Sequence, residues 1–144
     1  TSARPETPET TERRKGFIAL AKTGKFKGVT PKLLPYLIHA SRLHDPDVGE
    51  VVLKMAERVG REAFIRQQTA IMNRIDSRPS LSAIQVPTLM ITGRQDITTP
   101  PELAEEIVAA IPRAKLALIE DCGHLSPLER PQAVTALLRL WLTE

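Results

Sequence analysis

The sequence predicts an α/β chain in two unlike parts, a run of helices followed by a strand–helix–strand–helix unit. Three observations carry this. Apolar residues in 1–80 recur at helical spacing, with no convincing strand among them. Beyond residue 81, two short β-type runs flank an amphipathic helical stretch. The charge also shifts near Arg78-Pro79-Ser80: residues 1–80 hold 15 Lys/Arg and 9 Asp/Glu, residues 81–144 hold 5 and 8. A joint change of charge and pattern marks a boundary, so the expected division is 1–80 and 81–144.

Each element follows from local chemistry. Thr1 to Thr11 is rich in Pro, Glu and Thr and is expected to fray. Pro8 to Lys22 reads as a helix, with Phe17, Ile18 and Leu20 as its apolar surface and Gly24 as its stop. Thr30-Pro31 is an N-cap followed by proline at the first helical position, opening a short helix through Leu33, Leu34 and Leu37 that Pro35 makes irregular. Asp45-Pro46 repeats the signal and opens a helix with Val48, Val51, Val52, Met55 and Val59. Gly60 should break it, and Ala63 to Ile75 continues as a further helix. Such a layer has an apolar underside and must lie on something.

The second part has another rhythm. Thr88 to Thr92, bounded by Pro87 and Gly93, reads as a strand buried on both faces. Pro101 to Ile111 is an amphipathic helix, with Leu103, Ile107, Val108 and Ile111 on one face and early glutamates at the positive end of its dipole. Lys115 to Glu120 is a second strand. Pro131 to Leu142 is a final helix, with Val134, Leu137, Leu138 and Trp141 at core spacing. Strands joined by a helix should be parallel neighbours.

Composition bounds the function. A chain of 144 residues suits one domain, burying roughly 70% of its unfolded surface. Twenty Lys+Arg against 17 Asp+Glu, with 3% aromatics, does not suit a dedicated nucleic-acid binder. No apolar run approaches the roughly 20 residues of a membrane span, and no basic-then-apolar leader opens the chain. A single cysteine, Cys122, excludes an internal disulfide and points to a reducing compartment, so a soluble, cytoplasmic chain is expected. Its first residue is Thr1 rather than Met, which suggests a chain cut from something longer. No His, Cys, Asp or Glu cluster has metal-ligand spacing and no glycine-rich phosphate loop is present, so neither metal nor cofactor is expected.

Parallel βαβ geometry places the residues after each strand on one edge of the sheet, where ligands bind in open α/β folds. The first strand is followed by Gly93-Arg94-Gln95-Asp96 and the second by Asp121-Cys122-Gly123-His124. Asp96 and His124 should therefore sit above strands roughly 5 Å apart. An Asp that accepts from an imidazole fixes its tautomer and supports it as a general base. The same residues also fit a strand-end Asp capping a turn and a histidine in a solvated loop.

The stretch from Leu81 through Thr92-Gly93-Arg94-Gln95-Asp96 to Pro101, then Ile111-Pro112-Arg113-Ala114, then Asp121-Cys122-Gly123-His124 to Pro131, resembles the C-terminal part of an α/β-hydrolase. It is closest in style to enol-lactonases, esterases and carbon–carbon bond hydrolases. The resemblance implies Asp96 as the triad acid, His124 as the base, and residues 1–80 as the helical lid inserted before these strands. The fold it implies is incomplete: a helical lid, then the last two parallel strands with their flanking helices. A nucleophile elbow of the form Gly-x-Ser-x-Gly is missing, because none of Ser2, Ser41, Ser77, Ser80, Ser82 and Ser126 has glycines two residues to either side. Cys122, two residues from His124, is expected to be a packed side chain and not a substitute nucleophile.

The remaining residues each admit two meanings. His39 and His44 are surface or packed lid histidines, or touch substrate. Arg13, Arg14, Lys15, Lys22, Lys25 and Lys27 form a solvated basic face, or attract an anionic substrate. Arg74, Asp76 and Arg78 form a charge network anchoring the lid, with an arginine facing the pocket as the alternative. Glu129 caps the last helix or ties down the histidine loop. The function expected from the resemblance is hydrolysis of a small ester, lactone or related acyl bond. This chain would supply Asp96 and His124, with the nucleophile outside it. The alternative is a non-catalytic assembly module whose exposed sheet edge is covered by self-association or by the missing N-terminal half.

Overall fold

In the computed structural model, which describes residues 1–25 and 28–143, the helical part comes first and a two-stranded parallel sheet follows. Helix α1 (Pro8–Leu20) begins at Thr7, whose side chain and that of Thr10 cap each other's backbone N–H groups. It runs into a π-type turn at Ala21–Lys25, where Gly24 has φ 79°, at the position expected for the stop. The residues before α1 do not fray: Ala3 is buried and its carbonyl accepts from Ser77 N–H at 2.9 Å. Tertiary packing, which local composition does not report, holds them.

Pro31–Tyr36 forms a 3₁₀ turn rather than an α-helix; Pro35 lies inside it and the Thr30 side chain makes no cap bond. A second 3₁₀ turn, Ala40–Arg42, precedes α2 (Pro46–Met72), which Asp45 caps by accepting from Asp47 N–H at 2.9 Å. The break expected at Gly60 is a kink within α2, with φ 72° and ψ 174°. Every buried residue of α2 precedes that kink: Val48, Gly49 and Val52. With Leu34 and Ile38 the two valines form a core cluster, and Leu125 and Leu128 from beyond the second strand pack onto it.

A 3₁₀ turn at Arg78–Ala83 leads to β1 (Thr88–Gly93), then α3 (Pro101–Ala110), β2 (Ala114–Ile119), a one-turn helix α4 (Ser126–Glu129) and α5 (Pro131–Leu142). The strands pair in parallel from Thr88↔Ala114 to Gly93↔Ile119, as expected. Strand β1 is not fully buried on both faces, as its sequence suggests; only Thr92 and Gly93 are. Met90 packs toward Leu81, Ile107 and Ile111 on one side, and Ile91 toward Ile119, Cys122 and Val134 on the other. One paired neighbour gives it less cover than the central strand its apolar sequence suits. Trp141 is likewise only half-buried and Leu138 is 41% exposed, so the apolar face of α5 is wider than its contact with this sheet. No helix among the described residues is long and apolar enough to cross a membrane.

Candidate active site

The loops after β1 and β2 are laced together by hydrogen bonds. Arg94 N–H donates to Ile119 C=O at 2.9 Å, Gln95 N–H to Cys122 C=O at 3.0 Å, and Cys122 N–H to the Gln95 side-chain carbonyl at 3.0 Å. Gly93 makes this approach possible, because a Cβ there would meet the Cys122 carbonyl oxygen at 2.3 Å. Asp121 turns the chain with φ 49°, a conformation that aspartate tolerates better than most residues.

Asp96 and His124, 28 residues apart in sequence, meet at the end of these loops: His124 Nδ1 lies 2.8 Å from Asp96 Oδ2. The Asp96 side chain is 4% exposed and that of His124 29%. The other carboxylate oxygen, Oδ1, accepts from Thr98 and Thr99 N–H, both at 2.9 Å, and Oδ2 also accepts from the Thr99 hydroxyl at 2.8 Å. Asp96 is thus a turn cap and an imidazole partner at once, so the two meanings of its sequence position coexist. Burial raises its carboxyl pKa, but the His124 and Thr99 bonds and the nearby imidazole outweigh this and hold it below the ordinary carboxylate value. With Nδ1 donating to Asp96, Nε2 is the nitrogen left to exchange a proton with a ligand.

Beside His124 lies a cavity of about 510 Å³. Arg4, Arg13, Arg14 and Arg74 line it against Glu6, together with Thr98, Thr99 and Leu103. Glu6 takes Arg14 at 2.8 Å and Arg74 at 3.1 Å, while Arg14 also donates to Gln68 at 2.8 Å. The basic stretch is therefore not one solvated face: Lys15 is exposed and pairs with Glu12, but Arg14 is partly buried in a tertiary clamp. Lys27 lies outside the described residues. The expected network of Arg74, Asp76 and Arg78 divides in two. Arg78 pairs with Asp76 at 2.6 Å and approaches Glu106, whereas Arg74 goes to Glu6 and the cavity wall.

Glu129 does not cap α5. It is 2% exposed, and its carboxylate accepts from Gly123 N–H and Leu125 N–H, each at 3.1 Å, on either side of His124. His39 uses its ring to accept from Ser41 N–H, and His44 is exposed in the segment before α2. Cys122 is fully buried; burial, then the Glu129 carboxylate, push its thiol up to about 11. A thiol so held is protonated near neutral pH and is a poor nucleophile. Among the described residues, no group of His, Cys, Asp and Glu is arranged to hold a metal ion.

Comparison with known proteins agrees with this architecture. The family model of the alpha/beta hydrolase fold matches residues 52–131, more than half of the chain, and the chain belongs to that family. It is 32% identical to an esterase from Thermogutta terrifontis, solved with malate bound, with a TM-score of 0.90 over 99% of this chain and 53% of that one. The enol-lactonase from Burkholderia xenovorans LB400 is 30% identical, with a TM-score of 0.81 over 100% of this chain and 54% of its own. A pimeloyl-[acyl-carrier protein] methyl ester esterase of Neisseria meningitidis is 29% identical over 126 residues, covering 84% of this chain and 49% of that protein. The chain thus spans about half the length of these three relatives.

Proposed function

We propose that this chain is the lid and C-terminal part of a hydrolase acting on a small ester, lactone or related acyl bond. In this reading residues 1–80 form the lid and residues 81–144 belong to the hydrolase core. The single observation that carries it is the 2.8 Å bond between His124 Nδ1 and the buried Asp96 carboxylate beside an open cavity. A nucleophile from outside this chain attacks the acyl carbon. His124 takes its proton through Nε2 and returns it to the leaving group, and Asp96 holds the ring and stabilises the imidazolium. The esterase and lactonase relatives support an acyl substrate.

The cavity wall favours substrates with an anionic end: Arg4, Arg13, Arg14 and Arg74 line it, and two glutamates, Glu106 on Arg4 and Glu6 on Arg14 and Arg74, leave a net positive charge there.

The test uses the complete hydrolase that carries this chain. His124→Ala should lower kcat by roughly 10⁴-fold or more on a small ester, as loss of a triad base does elsewhere. Undiminished turnover would remove His124 from the chemistry. The 144-residue chain alone should not form an adduct with a serine-directed fluorophosphonate, and a covalent adduct would place the nucleophile within it.

A further inference from the structure

The lid and the histidine loop share one buried anion. Besides the two N–H groups flanking His124, the Glu129 carboxylate accepts from His39 N–H of the lid at 2.7 Å through Oε2. Gly123 N–H lies 3.1 Å from both carboxylate oxygens, so the group bridges the two segments. Three further contacts cross the same seam. His124 N–H donates to Leu37 C=O at 3.1 Å. A Cβ on Gly123 would meet His39 N and Ile38 C at 2.8 Å, so the lid backbone rests directly on this loop. Leu125 and Leu128 pack into the lid cluster of Leu34, Ile38, Val48 and Val52.

We propose that Glu129 is a positioning residue that registers the lid against His124, so that the segment bearing the base and the lid turn at Ile38–His39 move as one body. The proposal rests on His124 being the base. All the hydrogen bonds to the Glu129 carboxylate among the described residues come from backbone N–H groups, so the site uses that carboxylate purely as an acceptor. A carboxylate offers acceptor sites on both oxygens, whereas a glutamine amide would turn an NH₂ toward one set of these donors. Charge-assisted bonds from N–H groups to a carboxylate are also stronger than neutral ones. The consequence is geometric. His124 sits between two residues anchored on Glu129, with its own N–H on the lid, so a shift of the lid displaces the imidazole.

The experiment compares Glu129→Gln with the parent in the complete hydrolase, on a small ester below the melting temperature. We expect kcat to fall roughly tenfold to a hundredfold, the loss typical of a misplacement of about 1 Å, with KM little changed. The same substitution should speed amide exchange at His39, Gly123 and Leu125 together. A lower melting temperature with parental kcat would mean that Glu129 only stabilises the fold, and would overturn the proposal. If the variant does not fold, exchange in the unaltered enzyme still decides. His39, Gly123 and Leu125 amides opening at one common rate supports registration; His39 opening independently of the other two refutes it. Failure of the underlying reading looks different. There, His124→Ala keeps full turnover, leaving nothing for Glu129 to position, whereas an inactive His124→Ala beside a fully active Glu129→Gln sinks this proposal alone.

Discussion

Gly93 and Gly123 touch backbone to backbone: a Cβ on Gly93 would lie 2.2 Å from the Gly123 carbonyl oxygen. The contact closes the end of β1 onto the histidine loop, and it is backbone, so neither side can rotate away. Gly93→Ala should therefore destabilise the protein by at least about 1–3 kcal/mol, the usual cost of overpacking, and widen the separation of Asp96 and His124. Denaturant unfolding measures the first and a crystal structure of the variant the second. Unaltered stability would mean the two loops separate freely.

Asp96→Asn keeps the turn cap and removes the carboxylate. The amide can still cap the turn through one oxygen, but its NH₂ then faces His124 Nδ1, which disfavours the Nδ1–H tautomer and leaves an imidazolium unbalanced. Turnover should fall by about 10⁴-fold, the scale seen when a triad aspartate becomes asparagine elsewhere. Acid stability gives a second readout. The folded pKa of Asp96 lies below its unfolded value, so its ionised form stabilises the fold above the unfolded carboxyl pKa of about 3.9. That contribution is lost as pH falls through the lower, folded value. Asp96→Asn should accordingly flatten the loss of stability below about pH 4, measured by urea unfolding against pH. An acid limb identical to the parent's would show that Asp96 is not linked to folding.

Cys122 should be chemically silent in the native protein. With its thiol pushed up to about 11 and its side chain buried, iodoacetamide at pH 8 should label it only after unfolding. Rapid labelling of folded protein would show that the loop between β2 and His124 opens.

Arg13 tests the cavity's charge preference. Glu6 holds Arg14 and Arg74, while no ion pair to Arg13 forms among the described residues. Arg13→Ala should raise KM for an ester with a free carboxylate several-fold more than for its neutral amide analogue, an effect that salt diminishes. Equal changes for both substrates would leave the arginine without a role in selection.

How much of this was legible follows the range of the interactions. The α5 boundaries, the Asp45 cap and the kink at Gly60 are written locally, in prolines, cap residues and a glycine, and the structure realises each. The Asp96–His124 pair was legible one level up, because parallel topology alone brings the two strand ends together. The 3₁₀ turn at Arg78–Ala83 and the single turn at Ser126–Glu129 are too short to show a period. The Glu6 clamp joins residues 68 positions apart, and no spacing rule anticipates it. Glu129 was visible as a loop tie, but its partner in the first part of the chain is the His39 backbone N–H, a group every non-proline residue carries and no sequence pattern marks.

The kink in α2 divides that helix by task. Before Gly60, Val48, Gly49 and Val52 are buried, and both valines belong to the cluster that seats the histidine loop; beyond it no residue of the helix is buried. Gln68 and Ile71 instead reach the clamp and the cavity wall. Substitutions in the outer segment can therefore alter the cavity wall while the inner segment goes on seating the loop that carries His124. The break at Gly60 thus lets the cavity lining vary independently of the packing beneath His124.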